Sequence, residues 1–158
     1  MRARALAAAG ALAILWAAPA MGQGQSGTIA PRIETATKPP YGQYLTDASG
    51  RTLYMFMADQ QGKGASACYD ACAQAWPPAL AGQGGPEAGP NVKKDLLGTF
   101  ERRDGSRQVT YNGWPLYYFV KDRGPGEVTG QDVEAFGGEW YLVAPDGSVN
   151  RKHGEKQG

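Results

Sequence analysis

Histidine is almost missing from this chain: one residue in 158, His153, close to the C-terminus. A lone imidazole in a polar tail excludes a His-rich zinc or copper(II) site and leaves the body of the chain without the commonest general base. Cysteine is nearly as scarce, limited to Cys68 and Cys72. Their Cys-x-x-x-Cys spacing is neither the Cys-x-x-Cys of thioredoxin-like proteins nor the Cys-x-x-Cys-His of covalent haem attachment. No serine sits in a G-x-S-x-G elbow, and no Walker-type phosphate loop occurs; Gly82, Gly84 and Gly85 lie in a proline-bounded stretch instead. There is no dense acidic loop of the kind calcium needs. With 16 basic and 15 acidic residues scattered along the chain, counterion release gives no grip on nucleic acid. These absences argue against an enzyme and imply no cofactor.

What is present begins with an export signal. Arg2 and Arg4 form a basic start, Leu6 to Ala18 an apolar run, and Ala18-Pro19-Ala20 a small-residue cleavage site. Residues 1–22 are therefore expected to be a cleaved signal peptide. The apolar run is too short to span a bilayer, and no later segment is apolar enough. The expected compartment is the periplasm or the exterior, with no membrane anchor in the mature chain.

Roughly 135 residues remain, room for one compact domain. Residues 23–40 are rich in Gly, Gln, Ser, Thr and Pro and read as a flexible linker. Residues 81–92 form a second such stretch, and 151–158 a polar tail. The domain is then 41–150, with Arg102-Arg103-Asp104 read as solvated surface.

Inside it one motif occurs twice. Gly50-Arg51-Thr52-Leu53-Tyr54-Met55-Phe56-Met57-Ala58-Asp59 returns 63 positions later as Gly113-Trp114-Pro115-Leu116-Tyr117-Tyr118-Phe119-Val120-Lys121-Asp122. This divides the domain into repeat one, about 41–80, and repeat two, about 96–150. Turn signals at Asp47–Gly50, Asp104-Gly105, Asn112-Gly113 and Asp146-Gly147 tolerate positive φ and sit between short aromatic and β-branched runs. They predict strands at 43–47, 52–57, 97–103, 107–111, 115–120, 139–144 and 148–150. A short helix is expected from Ala67 to Ala75, ending at Trp76-Pro77-Pro78. The fold class is mainly β: antiparallel hairpins in two related halves of one domain, with a short helix around the cysteine pair.

Strand alternation puts Leu53 and Met55 on one face, as with Leu116 and Tyr118. It puts Tyr54 and Phe56 on the other, as with Tyr117 and Phe119. The aromatic pairs suit a core completed by Trp140 and Tyr141. Asp59 and Asp122 end their strands, where a carboxylate caps a turn on the surface.

The two Tyr-x-Phe-x-x-Asp blocks resemble the secreted-repeat proteins, described as predicted lipoproteins with a Tyr-x-aromatic-x-x-Asp motif. Family-like stretches include Ser66–Pro78 around the cysteines, Val109–Tyr117 and Gly137–Tyr141, so the resemblance spans about 41–147. It implies export, a two-repeat layout and the cysteine block, and carries no biochemical activity. Many such proteins bear a lipid-attachment cysteine after the signal. Here the first cysteine is Cys68, so a soluble mature chain is expected.

Three chemical readings follow. An even cysteine count in an oxidising compartment favours a Cys68–Cys72 disulfide. It closes so small a loop that it is worth at most about 2 kcal/mol. Alternatively, Met55 and Met57 with both thiolates would form an all-sulfur set for Cu(I), or the pair could cycle redox state. Finally, exposed Trp76, Trp114 or Tyr118 could stack a glycan or another small ligand. The reading adopted is a non-enzymatic binding or envelope-associated module, its partner an envelope component or small ligand. The disulfide predicts no free thiol in the unfolded, unreduced protein; two thiols per chain in a colorimetric titration would overturn it.

Overall fold

The computed structural model describes residues 31–154. The expected signal peptide (1–22), the first part of the expected linker (23–30) and the end of the tail (155–158) lie outside them. Ten strands and one short helix follow in order. They are β1 (Arg32–Lys38), β2 (Gly42–Asp47), β3 (Tyr54–Phe56), α1 (Ala71–Ala75), β4 (Glu87–Ala88) and β5 (Leu97–Glu101). Then come β6 (Arg107–Tyr111), β7 (Trp114–Pro115), β8 (Val133–Ala135), β9 (Gly138–Val143) and β10 (Val149–Asn150). They build three small sheets, ordered β2-β1-β4, β10-β9-β3 with β8 also on β9, and β5-β6-β7. The mainly β expectation holds.

The predicted turns form for the predicted reason. Gly105 and Gly147 have φ of 80° and 85°, and Asn112-Gly113 has both residues at positive φ, the geometry of a two-residue hairpin turn. The β8–β9 hairpin was not foreseen. Its turn is Phe136-Gly137, both at positive φ, and an exposed Phe there gives no turn signal.

Four boundaries need correction. The strand expected at 115–120 is only Trp114–Pro115, because the following residues turn to pair with Tyr54 and Pro78 through isolated bridges at Tyr117. Residues 32–38 are not linker: β1 pairs with β2 over six positions from Ile33↔Asp47 to Lys38↔Gly42. Its threonines read as tether, yet threonine is β-branched, and the fully buried Ile33 is enough to anchor the strand. The 81–92 stretch is docked: β4 lies parallel to β1, and Gly89 N–H donates to Ile33 C=O at 2.7 Å. A Cβ on Gly89 would stand 2.8 Å from that oxygen. The helix shortens to Ala71–Ala75 because Asp70, at φ 51°, cannot continue it backwards.

The halves are interlocked. At the centre Tyr54 and Tyr117 exchange two backbone hydrogen bonds, each 2.9 Å. Around that point the closing strand of each repeat lies in the sheet of the other. From repeat two, β9 pairs with β3, matching Tyr54↔Leu142, Met55↔Tyr141 and Phe56↔Trp140. From repeat one, Pro77–Ala81 inserts between β6 and the Leu116–Tyr118 segment. Ala79 N–H donates to Leu116 C=O (2.9 Å) and Ala79 C=O accepts from Val109 (2.8 Å). Each repeat thus lends backbone partners to the other.

Both faces of the repeated strands are buried. Leu53, Met55 and Leu116 join Ile33, Leu45, Val109 and Tyr111 in one core. Tyr54, Phe56, Tyr117 and Phe119 join Trp76, Trp140 and both cysteines in the other. The second core is filled to contact. A Cβ added at Gly130 would fall 2.8 Å from both the Trp76 and Tyr54 rings. Gly130→Ala should therefore destabilise by about 1–3 kcal/mol through overpacking, measured as a lowered denaturant midpoint with unchanged slope.

Candidate functional site

Each motif tyrosine reaches the motif aspartate of the other repeat. The Tyr54 hydroxyl donates to Asp122 Oδ2 and the Tyr117 hydroxyl to Asp59 Oδ2, both at 2.6 Å. The second oxygen of each carboxylate holds a loop: Asp59 Oδ1 accepts from Ala67 N–H at 2.6 Å, and Asp122 Oδ1 from Thr129 N–H at 2.9 Å. The Thr129 hydroxyl donates to that same Asp122 oxygen. The motif thus ties two strands and two loops together across the approximate two-fold.

The same operator orders the aromatic rings. Phe56, Trp140, Trp76 and Phe119 pile face to face, with centroid spacings of 4.1, 3.9 and 3.9 Å and tilts of 9°, 2° and 16°. Tyr54 meets Trp76 edge-on at 5.4 Å, and Tyr117 meets Trp140 edge-on at 5.1 Å. Such contacts are worth about 0.5–1.5 kcal/mol each beyond the area they bury.

The halves differ electrostatically. Asp59 is not the surface cap expected from sequence: only 5% of its surface is exposed. Burial raises its carboxyl above the ordinary 3.8, against the opposing pull of Ala67 N–H, the Tyr117 hydroxyl and the Arg102 charge. Asp122 is half-buried. Burial first, and the adjoining carboxylate second, push the Tyr54 and Tyr117 hydroxyls far above their ordinary 10.0, so both keep their protons. With its own proton committed to Asp59, Tyr117 accepts from Ser66 Oγ at 2.7 Å.

Arg102 also corrects the sequence reading. It is 4% exposed, not solvated, and donates to Gln108 Oε1 and to Cys68 C=O (2.8 Å). Its guanidinium lies 4.3 Å over the Tyr69 ring, with Arg103 at 3.6 Å from the same ring. Among the described residues, Arg102 Nε is a buried side-chain nitrogen with no partner. The delocalised guanidinium is weakly hydrated, which makes its burial tolerable.

Cys68 and Cys72 form a disulfide, with Cα atoms 5.2 Å apart, and both are buried. The Cu(I) set is not assembled. Met55 and Met57 pack on the Leu53 core, while the cysteines lie in the aromatic core. Among the described residues no cluster of three or more His, Cys, Asp and Glu converges as a metal site would require. His153 pairs with Asp132 at 3.0 Å on the surface.

The three stacking candidates part company. Trp76 is 1% exposed and sealed in the ring pile, so it presents no face to a ligand; the turn-like Trp-Pro-Pro hid a strand that enters the other repeat. Trp114 is half-buried against the Leu53 core. Tyr118 is half-buried too, but lines an open cleft of about 330 Å³ with Pro31, Arg32, Asp47, Ser49 and Glu87. Its hydroxyl donates to Asp47 Oδ2 at 3.1 Å and Arg51 stands 4.0 Å over its ring.

A family described as a secreted repeat of unknown function matches the chain twice, over residues 35–80 and 98–144. The chain belongs to this family. The two matches fall on the two interlocked halves, so the secreted repeat is a half-domain completed by its neighbour. No curated protein and no solved structure matches the chain. Among the described residues no helix is long and apolar enough to cross a membrane.

Residues whose part in the site the sequence did not mark are Ser66, Thr129, Gly130 and Gln108, besides the misread Arg102. A weak signal existed: Ala67 follows Asp59 by eight positions and Thr129 follows Asp122 by seven, a loop closed on each carboxylate. The raised carboxyl of Asp59 carries a pH dependence. The folded state holds that proton more tightly than the unfolded one, so stability falls as pH rises from about 3.8 through the folded-state value. Asp59→Asn should remove that fall, seen as the difference between parent and variant urea midpoints across the acid range.

Proposed function

We propose that this secreted repeat is an exported, non-enzymatic binding module of the periplasm or envelope, and that the Tyr118 cleft is its ligand face. The observation that carries this reading is the position of Tyr118. Of the three aromatic side chains suited to stacking, Tyr118 lines an open cleft, whereas Trp76 is sealed and Trp114 packs on the Leu53 core. Around it stand groups of both charges: Arg32, Arg51, Asp47 and Glu87. An aromatic edge beside paired cations and carboxylates suits a small polar ligand with a C–H face, such as a saccharide unit of an envelope polysaccharide. Asp47 already accepts from Ser49 N–H and Arg51 N–H as well as from Tyr118, so the cleft wall is rigid before any ligand arrives.

Tyr118→Ala should weaken retention of the mature protein on isolated envelope polysaccharide by about tenfold, the loss of one central anchor. Arg32→Ala, on the exposed side of the cleft, should weaken it less. Thermal melts of both variants show whether the fold survives. Equal retention by Tyr118→Ala and the parent, or no retention by the parent, ends this reading.

A further inference from the structure

The two hydroxyl–carboxylate pairs do something that packing does not require. Phenylalanine at 54 and 117 would fill the same space without burying a carboxylate beside it, and burying a charge is costly. The same bonds pin two loops, but pinning needs no stack of indoles in contact with the phenols. We propose that the ring pile and its two carboxylate-bonded tyrosines form a one-electron relay that takes up the hole left by a small diffusing one-electron oxidant.

The geometry fits each step. The indoles of Trp76 and Trp140 lie parallel, 3.9 Å apart and tilted by 2°, so one missing electron is shared by two rings. The end ring, Phe119, is 6% exposed and stacks on Trp76 at 3.9 Å, which brings an oxidant at the surface close to the indoles. The oxidant gains one electron and the indole pair becomes a cation radical. Tyr117, edge-on to Trp140, then returns an electron to the indoles and passes its hydroxyl proton to Asp59 Oδ2 along the 2.6 Å hydrogen bond. The products are reduced oxidant, restored indoles, a neutral tyrosyl radical and a neutral carboxylic acid. A one-electron reductant reverses the last transfer, and the proton returns to the phenolic oxygen. Tyr54 and Asp122 offer the same step on the other side.

The two ends are unequal. Asp122 is half-buried and open to water on one side, whereas Asp59 is 5% exposed. Tyr117 is therefore the site at which the radical persists.

The experiment is flash oxidation of the mature, disulfide-intact protein by a photogenerated ruthenium(III) polypyridyl complex, read by electron paramagnetic resonance. The parent should give a persistent tyrosyl signal whose formation is independent of buffer-base concentration, because its proton acceptor is internal. Its g-tensor should report a hydrogen bond donated back by a protonated carboxyl, a readout on the unaltered protein. Tyr117→Phe should lose the persistent signal. Asp59→Asn still accepts the phenolic hydrogen bond but cannot take the proton; like Tyr117→Phe it should lose the persistent tyrosyl, leaving only the short-lived radical of the Tyr54–Asp122 side. Half-buried tyrosines such as Tyr69, with no carboxylate acceptor, remain in every variant and respond to buffer base. A parent signal that depends on buffer base and survives both substitutions, or a g-tensor with no hydrogen bond, overturns the relay.

Discussion

The pairing of Tyr54 with Tyr117 is the contact on which the rest of this fold depends. Two backbone hydrogen bonds join the strands at the approximate two-fold, and from that point everything else comes in pairs. Each phenol crosses to the opposite carboxylate, each Trp stacks on its counterpart, and each closing strand enters the opposite sheet. A buried tyrosine needs a partner for its hydroxyl. The aspartates supply it from the far repeat, which makes the hydrogen-bond requirement of one half the docking specificity of the other.

The repetition was legible because period-2 alternation and turn chemistry are local properties. The Asp-Gly and Asn-Gly turns, the opposite facing of Leu53 and Tyr54, and the closure of Cys68 on Cys72 all follow from neighbours in sequence. What escaped was decided by partners far along the chain. β1 reads as tether because one isoleucine and two threonines form a strand only between β2 and β4. Asp59 reads as a surface cap because nothing near it announces that Tyr117, 58 positions away, will seal it. Trp76 reads as an exposed platform because its neighbours are prolines, while the ring that covers it belongs to Trp140. Arg102 reads as solvated from its charged neighbours, though its acceptors are Gln108 and a cysteine carbonyl.

The two halves have diverged around a common frame. Repeat one carries the disulfide and the buried carboxyl; repeat two carries the buried guanidinium, Gly130, a half-exposed carboxyl and a glycine-rich loop. Thr129 occupies the loop position of Ala67, and Gly130 that of Cys68. Where repeat one fixes its loop covalently, repeat two fixes it by letting the backbone come against the Trp76 and Tyr54 rings. Similar frames with unlike loops leave the chemical differences at the edges of the pile and the packing at its centre. The Tyr118 cleft lies away from that centre, walled by β2 residues and the start of β1.

The crossing of the closing strands has a consequence for how the molecule comes into being. A chain made from its N-terminus presents Tyr54 and Pro77–Ala81 before their partners on β6 and β9 exist. Until the last third of the chain arrives, the aromatic residues of the first repeat have no partners to bury them, a stretch prone to find another chain. Folding must wait for contacts between residues far apart in sequence, which makes it slow and all-or-none rather than stepwise. For this architecture the half-made molecule, not the finished one, is the vulnerable species.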